Sequence, residues 1–521
     1  MRLFVPLLAL LPAFSALQLP LPHLPTTAQD AIQMADSFLH PGNSESADPA
    51  TILNTASDFS LESVTGDDFI HFTSARHPKH KIRIKSTNGF CDPSVKSYSG
   101  YLDIGDGKDL FFYFFESRSD PKKDPVVMWI NGGPGCSSAL GLFMELGPCS
   151  VKDDPKGTND TIVNPYAWND KANIFFLDEP IGVGFSYAEH HQSVRRAEEA
   201  GQDVQAFISI FFETFKEFQG RAFHMAGESY GGRYLPIFAS AVVDGNKKLI
   251  AQGQPPINLQ SVMIGNGVTD HYTTSESYFT FQCTIHGGLN ATVQSISTCV
   301  ALAEAVPKCH KFTQKGCIET QDYTTCTMAL QYCSEMLDSS FLLAGVNPYD
   351  VSKPCSSKEL SSSLCYSVTD KIRTYLDLPD VRKTLGVNPK LGGFSSCSNK
   401  VGREFGAALD TAGQTWLYVA ALLERGIRVL SYVGTFDFIC NHIANERWME
   451  KLEWTGKEGY NAAEFADWTV DDNIAGSYKT YGNLTHLKIL YAGHMVPYDK
   501  PKEALVMLNA WLDAEDLSKS Q

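Results

Sequence analysis

A serine inside a glycine bracket, Gly227-Glu228-Ser229-Tyr230-Gly231, is the stretch best equipped for chemistry. Its G-x-S-x-G spacing is that of a nucleophile on a sharp turn between a strand and a helix. AFHMAGE (222–228) reads as the strand and YLPIFASAVV (234–243) as the helix. A hydroxyl is a poor nucleophile without a base. The pattern therefore calls for an acid and then a histidine further along the chain. RVLSYVG (428–434) leads into Asp437, and LKILYAG (487–493) leads into His494. Each residue read alone is a turn aspartate or a strand-end histidine. Three strand ends in the order Ser229, Asp437, His494 favour a triad, with His494 moving the serine proton and Asp437 holding the imidazole tautomer. An oxyanion needs donors as well. The Tyr230 backbone N–H is one, and the loop Asn131-Gly132-Gly133-Pro134-Gly135 after VVMWI (126–130) offers another. What Glu228 does beside the serine is not explained by this chemistry, because a negative charge there gains nothing.

The elements that must carry these residues read as α/β. FFYFFES (111–117), VVMWI, ANIFFLD (172–178) and SVMIGN (261–266) are apolar runs of strand length. Residues 193–218 carry helical spacing, and EALVMLNAWL (503–512) reads as a closing amphipathic helix. Strands alternating with helices predict a mostly parallel central sheet, and the triad order predicts an α/β-hydrolase fold. The rhythm breaks between about 280 and 400, where nine of the 13 cysteines lie, Cys283 to Cys397. That stretch is expected to be a disulfide-stapled insertion or cap over the active site, poor in core of its own.

Residues 1–17 (Arg2, then an apolar run, then Ala13 to Ala16) read as a secretory signal peptide, too short to span a bilayer. Residues 18–80 are rich in Pro, Ser, Thr and Asp and read as a pro-segment, with the body, 81–521, beginning near Lys81. The disulfide-rich composition fits an oxidising compartment. A formal net charge of −16 argues against nucleic acid and anionic membrane surfaces as partners. Paired CxxC knuckles and HExxH are absent, so no metal and no cofactor are expected. Sequons at Asn159, Asn290 and Asn483 are glycosylation candidates.

WINGGPGCSS, GESYGG, FDFICN and GHMVP together resemble the serine carboxypeptidases, from about Lys81 to the C-terminus. SYSGYLDI, GLFMELGP and FLDEPIGVGFSY are similar in wording and spacing to the vacuolar members of that family. The resemblance implies release of C-terminal, preferably hydrophobic residues from peptides and proteins at acid pH, through an acyl-enzyme on Ser229. It assigns the substrate's terminal carboxylate to Asn131, the Gly132 backbone, Glu145 and Glu228, and the oxyanion to the Gly133 and Tyr230 N–H groups. Ionised glutamates would repel a carboxylate; a protonated pair can donate to it, which implies acid pH. Leu140, Met144 and Met495 match the pocket for the terminal residue. Tyr230, Val268, Tyr278, Ile439 and Cys440 match the pocket for the residue before it.

Cys440 matches a free thiol, which implies sensitivity to mercurials. The resemblance pairs Cys136 with Cys397, Cys283 with Cys299, Cys309 with Cys333, Cys317 with Cys326, and Cys355 with Cys365. Cys91 and Cys149 fall outside that pattern and are expected to pair with each other. Thr435 stands where the family commonly has an aspartate, Leu140 replaces a small polar residue, and the pro-segment is short. Gln18-Leu19-Pro20-Leu21 is similar to a vacuolar sorting signal with one change, so a vacuole-like compartment and secretion both stay open. A protease that removes the pro-segment is an expected partner. Two other readings of the scaffold are an acyltransferase or esterase, and a non-catalytic stabilising or binding member.

Overall fold

The computed structural model describes residues 64, 68–73, 80–105, 107–190, 192–342, 344–515 and 517. The expected signal peptide, the sorting tetrapeptide and most of the expected pro-segment lie outside the described residues. Thirteen strands among the described residues form one sheet. In chain order they are β1 (Ile70–Thr73), β2 (Lys81–Ser86), β3 (Ser97–Asp103), β4 (Lys108–Phe115), β5 (Val126–Ile130), β6 (Asn173–Leu177), β7 (Tyr187–Ala188), β8 (Phe223–Glu228), β9 (Leu259–Gly265), β10 (Arg428–Gly434), β11 (Ala466–Val470), β12 (Asn473–Tyr481) and β13 (Leu484–Ile489). The spatial order is β1-β2-β3-β4-β6-β5-β8-β9-β10-β13-β12-β11, with β7 paired to β4.

The centre, from β6 to β13, is parallel, and both flanks are antiparallel. Parallel strands are covered on both faces, which is why the central strands read as unbroken apolar runs. Alternate side chains enter two separate cores. Phe112, Phe114, Val126, Met128 and Ile130 pack beneath α1 (Ala197–Thr214) and α2 (Gly231–Ala251). Phe111, Tyr113, Phe115, Val127 and Trp129 face the other way, in the core that includes Leu508 and Trp511. Each such side chain contributes about 1.5–3 kcal/mol by burial. β5 is central: the chain leaves it for β6 on one side and returns to β8 on the other. Sites in such sheets form beyond the strands' carboxyl ends, where connections diverge in this way.

Three expectations are adjusted. The stretch read as a pro-segment contributes β1, which pairs with β2 through Ile70–Ile84 and Phe72–Ile82, and Val64 is buried in the main core. Only four residues pair, on an edge, so no sustained alternation marks the strand. LKILYAG is strand only as far as Ile489, so His494 sits on a loop five residues beyond. The cysteine-rich stretch does assemble a small core. Phe281 of α3 (His271–Cys283), Leu302 of α4 (Ile296–Thr313), Leu337 and Phe341 gather around Phe438, with Phe341 stacked on Phe438 at 3.8 Å. Disulfides supplement this core: Cys283–Cys299, Cys309–Cys333, Cys317–Cys326 and Cys355–Cys365. A loop of the first one's size is worth about 3 kcal/mol. Cys91–Cys149 and Cys136–Cys397 complete the set, and Cys440 is left as a free, buried thiol.

Candidate functional site

Ser229 follows β8 directly, and its φ of +60° marks a strained turn. Such a conformation costs a non-glycine residue about 1–3 kcal/mol and persists only when its surroundings enforce it. The Ser229 N–H donates to the Gly265 carbonyl at 3.0 Å, and its own carbonyl accepts from Gly232 and Val268 N–H at 2.9 Å each. The room for this turn comes from Gly227 and Gly232, where an added Cβ would lie 2.3 Å from the Ile130 carbonyl oxygen and 2.8 Å from the Gly267 Cα. Gly231, the second glycine of the motif, has ordinary space around it. The loop after β5 abuts the same turn: a Cβ on Gly132 would meet the Tyr230 nitrogen at 2.3 Å. The backbone amides expected to hold an oxyanion are therefore contributed by two loops in direct contact.

His494 Nδ1 lies 2.8 Å from Asp437 Oδ2. Asp437 is fully buried and accepts three further hydrogen bonds: from Asn266 Nδ2 at 2.9 Å, from Ile439 N–H at 3.1 Å and from Cys440 N–H at 3.2 Å. Asn266 is itself fixed, accepting from Gly434 N–H at 3.0 Å. The His494 N–H donates to the Tyr349 carbonyl at 2.7 Å, and the two rings meet edge-on at 5.3 Å. The Cys440 thiol sits beside Ser229, and burial together with the nearby Asp437 charge pushes it well above the usual thiol range.

Glu145 and Glu228 come together around one amide. Asn131 Nδ2 donates to Glu228 Oε1 at 3.0 Å and to Glu145 Oε1 at 3.4 Å. Asn131 Oδ1 accepts from Trp129 Nε1 at 2.8 Å and from Gly141 N–H at 2.9 Å, which fixes the direction of its amide. No other group donates to the Oε2 atom of either glutamate, and the two carboxyls lie within hydrogen-bonding reach of each other. Burial is the chief reason that Glu145 is pushed up to about 7. Glu228 is pushed well above the usual carboxyl range by burial first and by the Glu145 charge second.

A cavity of about 450 Å³ opens over these groups. Ser229, His494, Asn131, Gly132, Gly133, Glu228, Leu140, Met495 and Ile439 line it. Met144, Glu145, Val268, Tyr278, Tyr230 and Cys440 do not. Met144 is buried beside Glu145, and Tyr278 donates its hydroxyl to the Ile439 carbonyl at 2.9 Å. Asn159 and Asn290 are exposed, and Asn483 is half-buried.

Sequence reasoning passed over Asn266, Tyr349 and Asp410. Asp410 Oδ2 accepts from the Tyr230 hydroxyl at 2.7 Å and from Arg233 Nε at 3.0 Å, and so ties down the residue after Ser229. Asn266 had one usable signal, its place at the end of an apolar strand. Asp410 had none, because its partners are remote in the chain.

Asp437, Cys440 and His494 offer ligand atoms within 4.8 Å of one another. Asp437 and His494 already bond each other there, which suits proton transfer. Among the described residues no helix is long and apolar enough to cross a membrane.

Residues 88–514 match the family described as serine carboxypeptidase. Carboxypeptidase Y of Candida albicans is 42% identical over 447 residues, which is 85% of this chain and 78% of that protein. Carboxypeptidase Y homolog A of Leptosphaeria maculans is 43% identical over 430 residues, 81% of this chain and 75% of its own. Among solved structures, a prohormone-processing carboxypeptidase from Saccharomyces cerevisiae matches with a TM-score of 0.69 at 24% identity, covering 81% of this chain and 92% of that one.

Proposed function

The chain belongs to the serine carboxypeptidase family and has its α/β-hydrolase fold, and from that premise we propose how its residues divide the work. It is a serine carboxypeptidase, a hydrolase acting on peptides. In the proposed reaction the Ser229 oxygen attacks the last peptide carbonyl while His494 Nε2 takes the hydroxyl proton. Asp437 holds the Nδ1 proton and balances the imidazolium. The N–H groups of Gly133 and Tyr230 receive the oxyanion. Collapse breaks the C–N bond, and His494 hands its proton to the departing amine. Water then attacks the acyl-enzyme by the same route, returning Ser229 and a shortened peptide.

The observation that carries this reading is the Asn131 amide bridging Glu145 and Glu228 directly beside Ser229. Protonated, the pair and the Asn131 amide, with the Gly132 N–H, present donors to a free terminal carboxylate. Ionised, the pair would repel it. Leu140, Met144 and Met495 would form the pocket for an apolar terminal residue, and Val268, Tyr278, Ile439, Cys440 and the Tyr230 ring the pocket before it. The domain division proposed is a signal peptide (1–17), a pro-segment (18–80) and a peptidase domain with its cysteine-rich insertion. It implies the secretory pathway, a vacuole-like or secreted destination and a processing protease.

The test is release of the terminal residue from an N-blocked apolar dipeptide. Ser229→Ala should lower kcat by about 10⁴-fold or more. Retention of activity would remove Ser229 as the nucleophile.

A further inference from the structure

The cavity over Ser229 carries a positive charge that the proposed reaction leaves unused. Among its lining side chains Arg403 is the one fixed cation, and it shares the wall with Leu140 and Met495. It projects from α6 (Asn399–Ala407), a later helix of the chain than α5 (Tyr323–Cys333). The start of α6 is tied to the oxyanion loop. Cys136–Cys397 joins the two, Ser398 N–H donates to the Gly135 carbonyl at 2.8 Å, and Ser137 N–H donates to the Ser396 carbonyl at 2.8 Å. The guanidinium is therefore carried on a fixed support, although its own side chain is exposed.

Its charge is also unspent. Among the described residues Arg403 forms no salt bridge, and its neighbour Glu404 lies 4.0 Å from Lys400 instead. Glu228, an acid that lines the same cavity, is pushed well above the usual carboxyl range by burial first and the Glu145 charge second. Arg403 also borders a hollow of about 360 Å³ with Arg195, Lys400 and Glu404, three cations to one acid. A basic patch at this mouth contrasts with a chain whose net charge is −16.

We propose that Arg403 recognises the side-chain carboxylate of an acidic terminal residue, so that peptides ending in Glu or Asp are substrates alongside those ending in apolar residues. This rests on the reading that the Leu140 and Met495 cavity takes the terminal residue. A guanidinium is charged at every working pH and pairs well with a carboxylate. Because the group is exposed, solvent and salt screen it, and a preference of about threefold to tenfold is expected rather than an absolute requirement.

The experiment compares kcat/KM for N-blocked dipeptides ending in Leu, Glu, Gln and Lys at about pH 5.5, where a Glu side chain is ionised. The enzymes are wild type, Arg403→Gln, Arg403→Glu and Lys400→Gln. The expected Glu-to-Gln ratio is about threefold or more in wild type, near one in Arg403→Gln and below one in Arg403→Glu, where Lys becomes the better terminus. Lys400→Gln should keep the wild-type ratio, and raised salt should lower it. A ratio indifferent to Arg403 while the Leu peptide is cut would overturn the proposal alone. So would a ratio that follows Lys400, or a charge preference that moves to the residue before the cut. If wild type fails on the Leu peptide too, the proposed cavity assignment falls with it.

Discussion

Asp437 and the Glu145–Glu228 pair sit within one site and are buried alike, at 0%, 4% and 4% exposure, yet they are solvated by the protein in opposite ways. Asp437 accepts from four donors, one of them on His494. The two glutamates share a single amide donor and otherwise have only each other's carboxyl. Burial disfavours the charged form, and hydrogen bonds to that form restore it. One half of the site thus surrounds a carboxyl with hydrogen-bond donors beside the imidazole. The other half gives its carboxyls few donors, and burial raises both. Burial is the larger cause for both; the Glu145 charge adds to it at Glu228, whereas the hydrogen bond with Glu228 opposes it at Glu145.

Exchanging the well-solvated charge for a neutral amide is the most severe way to break this contrast. Asp437→Asn should lower kcat by about 10⁴-fold with little change in KM, measured on an apolar dipeptide. A loss in KM alone would mean that Asp437 serves binding. Removing a donor rather than the charge comes next. Asn266→Ala should cost up to about a hundredfold in kcat, because small misplacements of the imidazole are expensive. On the other half, Asn131→Ala should lower kcat/KM for free-acid peptides by about tenfold, and less for C-terminally amidated ones. Equal losses on both would detach Asn131 from the terminal carboxylate.

The mildest test lies outside the site. Glu179 is fully buried with both oxygens unpartnered, and burial pushes it well above the usual carboxyl range. A raised carboxyl contributes stability that is complete below its unfolded pKa and is lost as pH rises toward its folded value. Wild-type Tm should therefore decline as pH rises above about 4.5, and Glu179→Gln should flatten that decline. An unchanged slope would show that this carboxyl is solvated in solution.

Much of the fold was legible because the central strands are covered on both faces. VVMWI and RVLSYVG coincide with β5 and β10 residue for residue. The flanks were not, since KIRIKS of β2 and NIAGSYKTY of β12 mix polar residues into strands with a wet side. Ser229, Asp437 and His494 were visible as residues just past strand ends, and motif wording pointed to Glu145 and Glu228. Asn266 and Asp410 act through partners that only folding brings near, and Arg403 reaches the cavity wall on a helix whose start Cys136–Cys397 ties to a remote loop. Asp410 meets Tyr230 across 180 residues of chain. No local pattern can announce such a contact.

The contrast between the two halves is tested most directly by the ratio of kcat/KM for a free-acid dipeptide to that for its amide, followed from about pH 5 to about pH 8. The comparison is between wild type and the double variant Glu145→Gln with Glu228→Gln. Wild type should lose free-acid preference by about tenfold or more as the pair ionises, most steeply near 7, where Glu145 is held. The double variant, which keeps its donors at every pH, should give a flat ratio. A flat ratio in wild type, or an equal fall in the double variant, would contradict the account.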